Sequence, residues 1–443
     1  MSRQKSLLST CLFVVGMVAP AGSAMAQQTS GSLAGAAGQD ANIFARDRAV
    51  AVRDRPRPEY EALGIPAGAF MAYPRIQVDL ERNDNVFAVA TRADSDWVVK
   101  VRPEVSLESG WSRHALSAYA RATLSRYADF DGENTDDYGF GTAGRVDITR
   151  ASNIAAGADY ARLSEPRTSS NAPASTQKPI AYDLTSAYLA GSQVRGRTKL
   201  SARGDVRQYD YQDGRTLAGV VVNQDDRDRT VSSLTGRGDY AISPATAVFA
   251  QVTGNTRDYD DAGTLAQPAR DSNGYELLVG GNFEVGAVAR GEVAVGYISQ
   301  SFDAARYDKI DGFGARAQME WFPTQLTTIT ATGSRTIEDA GITNAAGYLS
   351  TSTGIQIDHE LMRNVLLNGS LTWSTDEYEG IDRTDDRLQA SVGGTYLLNR
   401  TVGISLAASH FEQSSDGRNG GVDFDVYRLS SSMVAQFSAA TQV

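Results

Sequence analysis

The sequence predicts an all-β fold, a closed antiparallel transmembrane β-barrel of about eighteen strands with sixteen as the alternative count. Three observations predict it. Apolar and polar residues alternate along long stretches, short and long connections between those stretches alternate strictly, and no segment after the N-terminal one is apolar enough for a membrane helix.

The alternation is clearest in residues 97–108. There Trp97, Val99, Val101, Val105 and Leu107 interleave with Lys100, Arg102, Glu104, Ser106 and Glu108. A helix would scatter both sets around its circumference, whereas a strand sends successive side chains to opposite faces. The pattern recurs in Ile76, Val78 and Leu80 against Gln77, Asp79 and Glu81, in 116–125, and in Leu200, Ala202 and Val206 against Lys199, Arg203, Asp205 and Arg207. In this phase Val101, Ala118 and Val206 face lipid.

Short turns fall at 109–113, 150–153, 193–196, 243–246, 287–290, 323–325, 361–364 and 399–400. Longer, acidic loops bearing Gly and Asn fall at 83–96, 131–136, 165–179, 212–226, 260–271, 304–309, 338–346, 379–384 and 414–423. Nine long and eight short connections join eighteen strands and put both termini on the short-turn side, the periplasmic one in a barrel. Closure follows because a sheet pairs every backbone amide in hydrocarbon only when it has no edges. Tyr127, Phe130, Tyr138, Tyr209, Tyr211, Tyr259 and Tyr378 at the long-loop ends, with Tyr73, Trp111, Trp321 and Phe322 at the other, are expected to form two interfacial girdles. At the end of the chain Met433, Ala435 and Phe437 alternate, and six more residues follow.

Three segments are expected: a signal peptide over 1–26, a flexible periplasmic arm over 27–68, and an outer-membrane barrel over 69–443. Arg3 and Lys5 precede an apolar core at 7–19 and an Ala24-Met25-Ala26 cleavage site, which is the pattern of export. The lone cysteine, Cys11, lies inside that signal, so the exported chain carries no thiol chemistry. Removing the signal takes the formal charge from −11 to −13, and such acidity argues against nucleic acid as a partner. The expected setting is lipid of a Gram-negative outer membrane, with the protein integral to it.

Nothing in the sequence points to an enzyme. The three histidines, His114, His359 and His410, sit on separate strands without metal-ligand spacing. In Asp358-His359-Glu360 neighbours point to opposite faces, which favours a structural role at the periplasmic rim over acid–base catalysis. No nucleophile elbow or phosphate-cradling loop is present, and no cofactor or metal is expected. The polar phases of the strands direct Arg102, Glu104, Arg121, Arg145, Asp147, Lys199, Arg203, Asp205, Arg207, Arg237, Asp239, Arg316 and Glu320 into the lumen. These either form cross-strand salt links in the wall or make an arginine-rich track for anionic or sugar-like cargo.

The segment Arg55-Pro56-Arg57-Pro58-Glu59-Tyr60, with Leu63-Gly64-Ile65, Gly68-Ala69-Phe70, Tyr73-Pro74 and Asp84-Asn85-Val86-Phe87, resembles the entry segment of the putative beta-barrel porin 2 family. Arg227-Asp228-Arg229, Trp321-Phe322-Pro323-Thr324 and Asp358-His359-Glu360-Leu361 are similar to later parts of it. The resemblance implies an outer-membrane barrel often encoded with exopolysaccharide or capsule export machinery, and with it a polysaccharide substrate and a periplasmic polysaccharide export protein as partners. A conduit for secreted polymer is therefore the leading function; a general diffusion porin and a non-conducting surface scaffold are the rivals. Arg55 to Tyr60, stiffened by its prolines, is expected to dock the periplasmic partner, the other reading being a plug in the lumen.

Overall fold

The computed structural model describes residues 50–173, 176–264, 267–342 and 344–438. The expected signal peptide and the arm up to residue 49 lie outside the described residues, as do the last five.

Eighteen long strands form one closed antiparallel sheet. In chain order they are β1 Phe70–Asn83, β2 Asp96–Ser109, β3 Ala115–Tyr127, β4 Thr135–Thr149, β5 Ser152–Ser164, β6 Ala181–Arg195, β7 Thr198–Tyr211, β8 Arg229–Ser243 and β9 Thr246–Tyr259. They continue as β10 Ser272–Val285, β11 Ala289–Phe302, β12 Ile310–Thr324, β13 Thr327–Asp339, β14 Gly347–Met362, β15 Val365–Tyr378, β16 Thr384–Leu397, β17 Val402–Asp416 and β18 Phe424–Gln436. Short connections of two to five residues alternate with long ones of five to seventeen. Each strand pairs with its sequence neighbours, and β18 returns to β1 from Arg75↔Gln436 to Asn83↔Arg428. The rest of that edge of β1 is covered by a three-residue strand, Ile65–Ala67, paired with Phe70 to Ala72. Phe437 follows β18 and its N–H donates to the Pro74 carbonyl at 3.0 Å.

Two faces of opposite chemistry result. Along β9, Val248 and Val252 are 44% and 54% exposed while Ala247 and Phe249 are buried. Around the cylinder the exposed set includes Leu189, Leu234, Val279, Phe313, Trp373 and Leu406, whereas Gln77, Asp79, Glu81, Lys100 and Asp358 are buried within. A continuous apolar surface of this extent has no place in water, and its natural solvent is hydrocarbon. No helix among the described residues is long and apolar enough to cross a membrane, which says nothing of strands.

The wall departs from two-sided pairing at the end of β13. β12 and β13 pair from Ala315↔Arg335 to Thr324↔Thr327, but the last four residues of β13 pair with β14 alone. The tip of the β13–β14 hairpin thereby leaves the cylinder and leans into the bore at the long-loop end.

Candidate functional site: the lumen and its two mouths

Residues i and i+2 of a strand share a face, so an Arg-x-Asp triplet sets a cation beside its own anion. Among the described residues four such triplets face inward, one of them Arg383 with Asp385 at 2.6 Å where β16 begins. Arg145 meets Asp147 on β4 at 3.0 Å, Arg203 meets Asp205 on β7 at 2.7 Å, and Arg237 meets Asp239 on β8 at 2.8 Å and Glu292 of β11 at 2.7 Å. Other partners come from other strands. Arg102 reaches Asp79 at 3.0 Å, Glu104 lies 4.0 Å from Arg75, Arg316 is 3.6 Å from Glu276, and Glu320 takes Arg290 at 2.7 Å. Lys199 is buried directly opposite Asp239. Arg121 leans over Tyr119, and Arg207 shares a row with Ser186 and Asp159. Asp79 is on the polar phase that the sequence shows for β1, whereas Glu276 and Glu292 are not among the residues that the sequence points to.

Three aromatic rings are built into this wall over glycines of the adjacent strand. Tyr119 faces Gly141, Tyr188 faces Gly157, and Phe249 faces Gly280, each pair directly opposite in register. A Cβ at these glycines would stand 2.8, 2.5 and 2.6 Å from a ring atom. A guanidinium also lies over each ring, Arg121 at 5.2 Å, Arg203 at 4.1 Å and Arg237 at 3.6 Å from the centroid. Each ring fills the gap its glycine leaves and takes a cation on its π face.

At the long-loop mouth the structure corrects the girdle expectation. Tyr209, Tyr211, Tyr259 and Tyr378 lie under arginines inside the barrel: Arg229 at 4.4 Å, Arg227 at 4.0 Å, Arg270 at 5.0 Å and Arg383 at 4.7 Å. Tyr127 pairs with the buried Val98 and shares its inner face. Tyr138, Trp111 and Trp321 are exposed on the outside. The physical reason is parity, since Tyr209 and Tyr211 are in phase with Arg203, Asp205 and Arg207.

These arginines also tie the loops together across the bore. Asp339 at the β13 tip accepts from Arg229 at 2.9 Å and Arg257 at 2.5 Å, on β8 and β9. Loop 165–180 supplies Glu165, which holds buried Arg227 through bonds of 2.8 and 3.0 Å, and Asn171, which accepts the Gly341 N–H at 2.9 Å. Its Ser170 also meets Arg387 of β16, itself paired with Asp376 at 2.8 Å. A loop rooted between β5 and β6 thus reaches the far wall.

The short-turn mouth is occupied by residues 50–63, the described part of the arm together with 64–68. The sequence led us to expect Arg55 to Tyr60 to reach outward to a partner as part of a flexible arm; here that segment turns into the barrel. The Val52 N–H donates to Thr328 at 2.9 Å, and Val52 packs with Leu366, Leu397 and Tyr60. Arg53 meets Glu320 at 3.2 Å, Arg55 meets Glu360 at 3.1 Å, and Arg57 meets Glu360 at 3.0 Å and the Val52 carbonyl at 2.8 Å. The carbonyls of Pro56 and Pro58 accept from Arg363 and Arg400, and Glu59 lies 3.5 Å from Arg363. Asp358 and Glu360 are buried inward-facing carboxylates needing cations, and these arginines supply them. Burial pushes the Asp54 carboxyl up and the Arg57 guanidinium down, Glu360 opposing the latter. His359 takes no part and bonds Thr327 at 3.0 Å.

A family model described as putative beta-barrel porin 2 matches residues 57–437. No curated protein matches the chain. Solved structures with a similar fold include a mutant of the ferric enterobactin receptor PfeA from Pseudomonas aeruginosa, with a TM-score of 0.46, 7% identity, and 85% of this chain and 81% of that one covered. The outer membrane protein OpdK from Pseudomonas aeruginosa gives 0.44, 11%, 83% and 99%, and the copper transporter OprC gives 0.45, 10%, 87% and 82%.

Proposed function

The chain belongs to the putative beta-barrel porin 2 family, and from that premise we propose that it is a gated conduit for secreted polysaccharide, closed at rest by its own N-terminal segment. The barrel is porin-like and integral to the outer membrane. The observation that carries the gated reading is the segment 50–63 held inside the short-turn mouth by Arg53, Arg55 and Arg57. A general diffusion porin works with a standing aqueous bore, whereas ion pairs at a mouth are contacts that a competing partner can replace. With the short turns facing the periplasm, a periplasmic polysaccharide export protein is the partner placed to displace the segment. The porin family of the chain supports transport as the role of the lumen.

The test is conductance in planar bilayers together with secretion in cells. Deleting residues 50–60 should leave a heat-modifiable barrel with higher and steadier conductance than the full chain. In cells, loss of the whole barrel should stop release of polymer. Equal conductance with and without the segment would overturn the gate, and undiminished release without the barrel would overturn the conduit.

A further inference from the structure

Resting on that channel reading, we propose that the inner wall of β5, β6 and β7 is a binding site for an uncharged, hydroxyl-rich sugar ring, and that such cargo, rather than an anion, suits this lumen. The first argument is charge. Four arginines of the inner wall stand beside carboxylates: Arg102 with Asp79, Arg145 with Asp147, Arg203 with Asp205, and Arg237 with Asp239 and Glu292. A wall so largely compensated, with Arg207 an exception, focuses little field of one sign and offers little to hold a polyanion. It offers instead closely spaced charged donors and acceptors, which bond neutral hydroxyls strongly.

The second argument is position. Asp159, Ser186 and Arg207 lie directly opposite one another on three adjacent strands, and Gly157, Tyr188 and Asp205 form the neighbouring row on the same face. Strand spacing of about 4.8 Å sets carboxylate, hydroxyl and guanidinium at steps comparable to the width of a hexose ring. These groups line a shared recess with room for about one water-sized group, so a sugar would lie across its opening and place a single hydroxyl inside. Tyr188 Oη there is buried without a hydrogen-bond partner, and among the described residues Arg207 has no carboxylate within ion-pair distance. A buried phenol left unpaired is costly, and a ligand hydroxyl would satisfy it. The Tyr188 ring, seated on Gly157 and capped by Arg203, holds the recess rigid.

The experiment uses the purified full chain in detergent and saturation-transfer NMR, with maltohexaose as the neutral probe and hexagalacturonate as the acidic one. Maltohexaose should take up saturation more strongly than hexagalacturonate. Its signal should fall at least about fivefold in the Asp159→Asn, Arg207→Gln double variant, and about threefold in Tyr188→Phe, which keeps the ring and removes only the hydroxyl. Val206→Ala, on the outer face, should change nothing. Stronger binding of the acidic probe, binding of neither, or binding indifferent to both variants would overturn the proposal. A protein that binds maltohexaose yet never conducts keeps this site and loses the channel, and one that conducts without binding does the reverse.

Discussion

Glu360 is the residue on which the short-turn mouth depends most. It receives Arg55 at 3.1 Å and Arg57 at 3.0 Å, with the Arg57 and Glu360 side chains only 2% and 7% exposed. Glu360→Gln keeps the shape and removes the charge, leaving the Arg57 guanidinium with the carbonyls of Val52 and Arg55. Taking one partner from a buried ion pair costs about 3–5 kcal/mol. At about 1.4 kcal/mol per tenfold change, that raises the released population of the segment by about two to three and a half powers of ten. Ala51 reports this directly, because it is wholly buried beside Val52. In a background with Cys11 replaced by serine, Ala51→Cys should react slowly with a water-soluble maleimide. Adding Glu360→Gln should speed labelling by about a hundredfold or more, up to the rate of an unprotected thiol. Arg363→Gln is the control. Arg363 is half-exposed and only 4.0 Å from Glu360, so its loss should cost under about 1 kcal/mol and change the rate less than about fivefold. A Glu360→Gln rate no faster than that of the control would refute the reasoning, since the buried pair would then not be what holds the segment.

Gly157→Ala, whose Cβ would stand 2.5 Å from the Tyr188 ring, should destabilise the barrel by about 1–3 kcal/mol in urea unfolding from vesicles, whereas Gly236→Ala, with open space around it, should not. Leu234→Arg on the outer face should cost about 2–4 kcal/mol if it lies near mid-membrane, read by the same unfolding assay. Burial, with Asp210, Asp225 and Asp260 nearby, pushes the loop carboxyl of Asp228 up to about 6 despite the N–H of Tyr211 that it accepts. A raised carboxyl binds its proton more tightly folded than unfolded, so its stabilisation is complete below the unfolded value near 4 and lost as pH rises through about 6. Hydrogen exchange of loop 212–228, corrected for intrinsic rate, should therefore be slower at pH 5 than at pH 7, and Asp228→Asn should flatten the difference.

The cylinder was legible in the chain because its two signals are local. Period-two alternation places Val101 and Arg102 on opposite faces without knowledge of any neighbour, and the alternating lengths of the connections orient every strand. The inward tyrosines were legible too, since Tyr209 and Tyr211 share parity with Arg203, and phase rather than nearness to a loop decides which face a ring takes. What sequence could not supply were pairings between distant segments. Nothing near Arg57 announces Glu360, and nothing near Asp339 announces Arg229 and Arg257. Such contacts depend on how far a loop or an arm folds back over a closed wall, which no local pattern encodes. The bend at the end of β13 did leave a local trace, because Arg335 and Asp339 fall in the parity of Ile329 and Ala331, so the apolar phase stops where pairing with β12 stops.

The arm enters the wall at the seam of the cylinder. Leu63 donates to Ser438 just past the last strand, Ile65–Ala67 lies along β1, and β18 takes over the same edge from Arg75. The first and last strands are thus stitched together by the same piece of chain that fills the mouth. A tug on that chain from outside the short-turn mouth loads the closing joint end-on, like a thread drawn against a knot. Hydrogen bonds of the β1–β18 pair would share such a load along the ladder, while the few ion pairs inside the mouth would give way first. Mechanical release and barrel integrity are in this way separated by a difference in strength between two neighbouring sets of bonds.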